Sequence, residues 1–146
     1  MNKSTSCGIM LVDDYSILLG HATMNKKQHG YDIFKGKKEE GESPSDAALR
    51  ELTEETGITK IRKSDLIEAG LYKYRPNKDL HLFIYKSDNL EEEFDTEKLF
   101  CFTMVPGKNY PEMNSYLIVP FDKMDFYMYR SLFPIIYKAL VEKGLI

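Results

Sequence analysis

Cysteine is scarce. Only Cys7 and Cys101 occur, with no CxxC spacing and no even framework of the kind that staples small secreted domains. Two free thiols in a reducing, cytoplasmic compartment are therefore expected. Long apolar runs are missing as well: nowhere do about 18 uninterrupted apolar residues occur, so no segment is expected to span a membrane. The short run Gly8–Val12 meets two acids where a signal peptide would extend its apolar region. An excess of positive charge is also lacking, since 20 Lys and Arg face 23 Asp and Glu for a net charge of −3. That balance excludes a broad positive field able to hold duplex nucleic acid, so a nucleotide partner has to be met at a local site. His21, His29 and His81 form no HExxH pattern and no triad with a marked nucleophile, which gives zinc or Ser-His chemistry no support. Repeats, low-complexity stretches and Pro/Gly linkers are absent too.

What is present is an ordinary globular composition, 42% apolar and 29% charged over 146 residues. One domain over residues 1–146 is the expectation. Thr5–Val12 and Ser16–Thr23 read as strands joined by a polar turn, Asp13-Asp14-Tyr15, and Tyr31–Phe34 extends them. Lys35-Gly36-Lys37-Lys38-Glu39-Glu40-Gly41-Glu42 carries no apolar side chain and reads as a loop. A helix follows from Pro44 to Thr56. Ser43 is its N-cap, Pro44 its first residue, Asp46 a shortened capping-box partner and Gly57 its stop. Leu66–Tyr74, Asp79–Ser87, Leu99–Val105 and Met113–Val119 read as further strands, with a turn at Asn77-Lys78. A last helix, capped by Ser131 and ended by Gly144, carries Leu132, Ile135, Ile136, Ala139 and Leu140 at helical spacing. The order predicts an α+β domain, helices packed on a mixed sheet.

The helix from Pro44 to Thr56 carries the chemical signal. On a wheel of about 100° per residue starting at Ala47, Glu51, Glu54 and Glu55 fall on one face. Ala48, Leu49 and Leu52 form a core stripe beside it, so the glutamates are expected to line an edge open to a ligand. Like charges at these spacings destabilise a helix by about 0.2–0.5 kcal/mol per pair. Glu54 and Glu55 also sit at the negative end of the helix dipole, at a further cost of about 0.3–1 kcal/mol each. A cation at that edge would offset both penalties. The structural alternative is a solvated glutamate face relieved by Arg50, four residues from Asp46 and from Glu54.

The full pattern weighs toward the first reading. Gly36, five residues, Glu42, seven residues, then Arg50-Glu51-Leu52-Thr53-Glu54-Glu55-Thr56-Gly57-Ile58 matches the signature called the Nudix box, and the chain resembles the Nudix hydrolases. The resemblance implies an α/β/α sandwich that hydrolyses a nucleoside diphosphate linked to another moiety, using Mg²⁺ or Mn²⁺. It assigns Glu51, Glu54 and Glu55 as metal ligands, with Gly36 and Glu112 completing the set; hard cations of this kind take oxygen donors. It leaves the general base open between Glu51 and an acid outside the box. Glu112 is the choice for the latter, because Pro111-Glu112-Met113 before an aromatic strand resembles RNA-pyrophosphohydrolase members. Arg50 is counted with the catalytic group as a residue whose loss costs activity through geometry. Glu42, Gly41 and Gly57 are read as structural members of the box. Glu91-Glu92-Glu93 is read as a solvated connection or a guard on a sheet edge.

On the substrate side, Lys35 sits where several family members place a basic group near phosphates, with Lys37 and Lys38 beside it. Tyr74 lies sixteen residues past Ile58, near where hydrolases of dinucleoside polyphosphates carry a tyrosine. Tyr31-Asp32-Ile33-Phe34-Lys35-Gly36 resembles the segment that opens the box in dinucleoside polyphosphate and RNA-end hydrolases, except that Phe34 replaces a proline. Dinucleoside polyphosphates are the leading substrate expectation, with ADP-ribose as an additional one. An RNA 5′ end and a non-catalytic nucleotide-sensing module are the alternatives.

Overall fold

Strand β1 (Ser4–Val12) is shut away from solvent from Ser6 onward, and its two faces account for the two halves of the core. Cys7, Ile9 and Leu11 point to one side, where Ala47, Ala48 and Leu52 of helix α1 (Pro44–Thr56) pack on them. Met10 and Val12 point to the other, against Ile136, Ala139 and Leu140 of helix α4 (Phe133–Glu142). This period-two alternation on a strand covered on both faces makes an α/β/α sandwich. The computed structural model describes residues 3–25 and 29–146.

The sheet is mixed. Strand β6 (Lys78–Lys86) runs parallel to β1 along its whole length, while β1 is antiparallel to β2 (Ser16–Ala22) at Leu11–Val12 and to β4 (Phe34–Lys37) at Ser6–Ile9. Antiparallel β5 (Leu66–Arg75) closes one edge beyond β6, and β3 (Tyr31–Asp32) and β7 (Met113–Pro120) both pair with β2. Among the described residues, no helix is long and apolar enough to cross a membrane.

Local chemistry sets the turns. Asp13 Oδ1 accepts the backbone N–H of Tyr15 at 2.9 Å, that of Ser16 at 2.8 Å and the Ser16 hydroxyl at 2.8 Å, which closes the β1–β2 hairpin as an Asx turn. Helix α1 begins where Ser43 Oγ accepts the Asp46 N–H at 3.2 Å and ends at Gly57, whose φ of +78° suits a residue without a Cβ. The Asp46 carboxylate, expected to complete a capping box, pairs instead with Lys63 at 2.7 Å.

Three expectations are corrected. Lys35-Gly36-Lys37 belongs to β4, because strand pairing draws on the backbone and does not need apolar side chains. The segment at residues 99–105 lies outside the named strands of the sheet; its bridge joins Met104 to Pro111, and its inner N–H groups turn to the end of α1. The last helix starts at Phe133 with no side-chain cap, so Ser131 does not cap it. In the run read as a solvated connection, Glu91 and Glu92 are exposed in the short helix α2 (Leu90–Glu93), and Glu93 is held by Lys60 at 3.0 Å and by the Tyr85 hydroxyl. Between β7 and α4, Met124–Tyr127 forms the single-turn helix α3.

Candidate active site

Helix α1 lies across β4, and the contact is possible because Gly36 has no side chain. A Cβ there would sit about 2.1 Å from Glu51 Cδ and 2.2 Å from both of its carboxylate oxygens. The Glu51 carboxylate thus occupies the space that any other residue at position 36 would fill. This is the close backbone approach that a glycine allows.

Arg50 organises the rest of the box. Its Nε and Nη2 donate to the two oxygens of Glu42 at 2.7 and 2.9 Å, a bidentate pair, and Nη2 also donates to the Lys37 carbonyl at 3.1 Å. The remaining nitrogen, Nη1, donates to Glu51 at 2.9 Å and lies 3.3 Å from Glu54 Oε2. The Arg50 guanidinium holds the Glu42 carboxyl down at about 2, and Glu42 in turn raises the pKa of Arg50. Glu42 also accepts the Glu39 N–H at 2.8 Å, tying the loop after β4 to the helix.

Glu55 departs from expectation. Only 5% of it is exposed, and one carboxylate oxygen accepts the Lys35 N–H at 2.9 Å. With Ala47, Ala48, Leu52, Glu55 and Thr56 all buried, the buried arc of the helix spans about 0° to 180° on the same wheel, and Glu55 lies near its middle. Glu54, at about 340°, sits on the rim of that arc, while Glu51, at about 40°, lies inside it with its carboxylate against the backbone of Gly36. Burial, and then the nearby carboxylates of Asp32 and Glu51, push the Glu55 carboxyl well above its usual range. Burial and Glu54 likewise raise Glu51, against the opposing pull of Arg50.

Glu112 reaches the same place from outside the box. Its N–H donates to the Thr103 carbonyl at 2.9 Å and its carbonyl accepts the Thr23 N–H at 2.9 Å, which fixes it just ahead of β7. Burial and the negative charge of Glu54 raise its carboxyl above the ordinary value. Four carboxylates from two parts of the sequence therefore act on one another.

The last turn of α1 is pinned from three sides. Its four terminal carbonyls have no partner within a helix. Here Thr53 accepts Gly57 N–H at 2.8 Å, Glu54 accepts Phe102 N–H at 2.6 Å, Thr56 accepts Phe100 N–H at 3.1 Å, and Glu55 accepts the Tyr116 hydroxyl of β7. Every one of the four is satisfied, so Glu54 and Glu55 are carried on a fixed helix end.

Lys35 places its ammonium 3.0 Å from Asp32 and 5.8 Å from the centre of the Tyr74 ring. Burial alone would lower its pKa; Asp32, Tyr74 and Glu55 together outweigh burial and raise it. Arg75, absent from the sequence reading, lies 4.8 Å over the same Tyr74 ring. Lys78, opposite Arg75 across the β5–β6 hairpin, is held below its usual pKa by burial and then by Lys35 and Arg75. Like charges directly opposite cost stability, and an alternation test on the two strands would have shown that pair. Tyr31, a candidate substrate contact, packs edge-on against His21 at 5.0 Å and Tyr127 at 5.6 Å. Gly41 serves a turn at φ +84°.

A divalent metal fits this donor set. Among the described residues no three His, Cys, Asp or Glu side chains stand ready-made in metal-binding geometry. Yet a single nitrogen of Arg50 lies within reach of both Glu51 and Glu54, so the two carboxylates already converge on a point of positive charge. All donors are oxygens, as hard divalent cations require.

Residues 1–114 match the family described as the NUDIX domain. A protein of Enterobacteria phage T4, the uncharacterized 17.7 kDa protein in the e-segB intergenic region, is 34% identical over 140 residues, covering 91% of this chain and 93% of that one. Solved structures share the fold. The NUDIX domain of Shewanella oneidensis NrtR, in complex with ADP ribose, gives a TM-score of 0.68 at 10% identity, over 98% of this chain and 89% of that one. A MutT structure from work on Aliivibrio salmonicida and Vibrio cholerae gives 0.66 at 14% identity, over 97% and 99%. A C. elegans Ap4A hydrolase gives 0.63 at 16% identity, also over 97% and 99%. A longer MutT/nudix family protein from Enterococcus faecalis gives 0.60 at 15% identity; 82% of this chain aligns, spanning 44% of that protein. The chain belongs to the NUDIX family.

Proposed function

We propose that this protein hydrolyses the pyrophosphate linkage of a nucleoside diphosphate joined to a second moiety, with dinucleoside polyphosphates as the leading substrates and ADP-ribose as a further one. It is a pyrophosphohydrolase. The observation that carries the reading is the seating of the Glu51 carboxylate against Gly36, with Glu51 and Glu54 sharing one nitrogen of Arg50 and with Glu55 and Glu112 close enough to act electrostatically on the same group. Such an arrangement is costly without a cation and useful with one. The ADP-ribose complex of the NrtR domain and the Ap4A hydrolase, both of this fold, support the substrate choice.

Glu51, Glu54, Glu55 and Glu112, with the backbone at Gly36, would hold Mg²⁺ or Mn²⁺. When bound, such an ion supplies positive charge to the pyrophosphate and acidity to a nearby water. Glu51 and Glu112 are the two carboxyls able to take the proton of the attacking water, since both are raised above the ordinary range and neither is as deeply buried as Glu55. Water oxygen bonds to one phosphorus, the bridging P–O bond breaks, and a nucleotide leaves with its phosphate intact. Arg50 and Glu42 hold the carboxylates in register, and Lys35 and Tyr74 meet the substrate beyond the reacting phosphates. A cytoplasmic setting suits the two free, buried thiols.

The test is product analysis by ion-exchange chromatography after incubation with diadenosine polyphosphates, ADP-ribose, nucleoside triphosphates and triphosphorylated RNA, with Mg²⁺, Mn²⁺ or EDTA. Cleavage of diadenosine polyphosphates that stops in EDTA is the expected result. Turnover undiminished in EDTA, or no cleavage of any substrate by folded protein, overturns the proposal; cleavage of RNA ends alone redirects it.

A further inference from the structure

Three large apolar side chains stand in the open at the rim of the carboxylate cluster. Phe100, Phe102 and Met104 are 59%, 62% and 53% exposed. They alternate with Cys101, which is buried, so the extended chain turns every second side chain outward. Their exposure is not slackness of the segment. Its backbone is bonded to the Thr56 and Glu54 carbonyls through Phe100 and Phe102, and to the Glu112 N–H through Thr103. The three residues are thus fixed between the helix end that carries Glu54 and the residue just ahead of β7 that carries the fourth carboxylate.

The rings have a defined arrangement. Phe100 and Phe102 meet edge to face, centroids 5.0 Å apart at 69°, which forms a corner with a floor and a wall. A Cβ on Gly57 would come within 3.2 Å of the Phe102 ring, so this box glycine serves both the helix stop and the seating of the ring. The patch is too small for a protein partner. Three side chains somewhat more than half exposed offer on the order of 300 Å², against about 800 Å² per partner in a stable interface. It is ample for one planar heterocycle, it carries no charge to meet a phosphate, and it adjoins the site where a nucleotide's phosphates would sit. Stacking on an aromatic face suits any base.

We infer that Phe100 and Phe102 form the stacking platform for a nucleobase of the substrate, with Met104 along its outer edge. The inference rests on the proposed hydrolysis, because that reading puts the nucleotide's phosphates at the neighbouring carboxylates. The experiment separates the two. The protein contains no tryptophan, so Phe102→Trp creates a single indole whose fluorescence reports contact with a base. Titration with AMP in EDTA is expected to quench it saturably, and ribose 5-phosphate, which has the phosphate without the base, is expected to leave it unchanged. In steady-state assays Phe102→Ala is expected to raise KM about 10-fold with little change in kcat, a loss that Phe102→Tyr restores and Phe102→Leu does not. Circular dichroism confirms that each variant is folded.

Quenching by AMP without turnover of any substrate would support the platform while sinking the hydrolase reading. Turnover with no AMP-specific quenching, or rescue by leucine as complete as by tyrosine, overturns the platform. So does sedimentation showing a dimer that Phe102→Ala dissociates, since the patch would then be covered by a second copy.

Discussion

The backbone N–H of Lys35 donates to the carboxylate of Glu55 at 2.9 Å, joining strand β4 to helix α1 beneath the site. A group placed by sequence among exposed ligands thus also holds the helix to the sheet. Glu55→Gln keeps an acceptor oxygen and removes a buried negative charge, so its thermal midpoint is expected to equal or exceed that of the parent. Glu55→Ala leaves the Lys35 N–H unpaired and is expected to cost about 1–3 kcal/mol. Urea unfolding of both variants checks this; equal losses in both would show that the hydrogen bond is irrelevant.

Glu54 sits on the rim at the unfavourable end of the helix dipole and receives Arg50 at 3.3 Å. Glu54→Gln is expected to fold normally, with stability unchanged or slightly raised, while metal-dependent turnover falls by about 100-fold or more. Full activity in this variant removes Glu54 from the metal site.

Gly36→Ala drives a methyl group into the Glu51 carboxylate. Either the helix shifts or Glu51 changes rotamer, at about 1–3 kcal/mol. Turnover is expected to drop with it. A variant as stable and active as the parent would mean that α1 is not seated as closely on β4 as described.

Arg50→Lys tests the geometry of a charge as opposed to its sign. An ammonium cannot make the bidentate pair with Glu42 and at the same time reach Glu51, Glu54 and the Lys37 carbonyl. Activity is expected to fall about 10–100-fold, with kcat affected more than KM. A loss confined to KM would move Arg50 to direct substrate contact.

Acid stability has an identifiable contributor far from the site. Burial would raise the Asp13 carboxyl, but hydrogen bonds from Leu90, Tyr15 and Ser16 together outweigh it and hold it below its usual value. A carboxyl depressed in the folded state stabilises the fold fully above its unfolded pKa of about 3.9 and loses that contribution as pH falls through the folded value. Asp13→Asn is expected to flatten the dependence of unfolding free energy on pH below about 4. An acid limb identical to the parent's assigns the effect elsewhere.

Helix α1, both its ends and the first hairpin are legible in the sequence because each depends on contacts a few residues apart. Ser43 caps Asp46, Gly57 stops the helix, and Asp13 reaches no further than Ser16 within the turn. What was not legible depends on partners far along the chain. The burial of Glu55 is decided by β4, twenty residues earlier. The apolar alternation at residues 99–105 has a strand's period, yet its N–H groups go to the helix end because those carbonyls lack partners. Arg75 and Lys78 become neighbours of Lys35 only when β4, β1, β6 and β5 are assembled into one sheet.

The segment that closes the end of α1 divides its duties between backbone and side chains. Its N–H groups hold the helix whatever residues bear them, while positions 100, 102 and 104 face outward and support nothing in the core. Those three positions can therefore be rewritten without disturbing the carboxylates beside them, which separates the choice of what is cut from the machinery that cuts it.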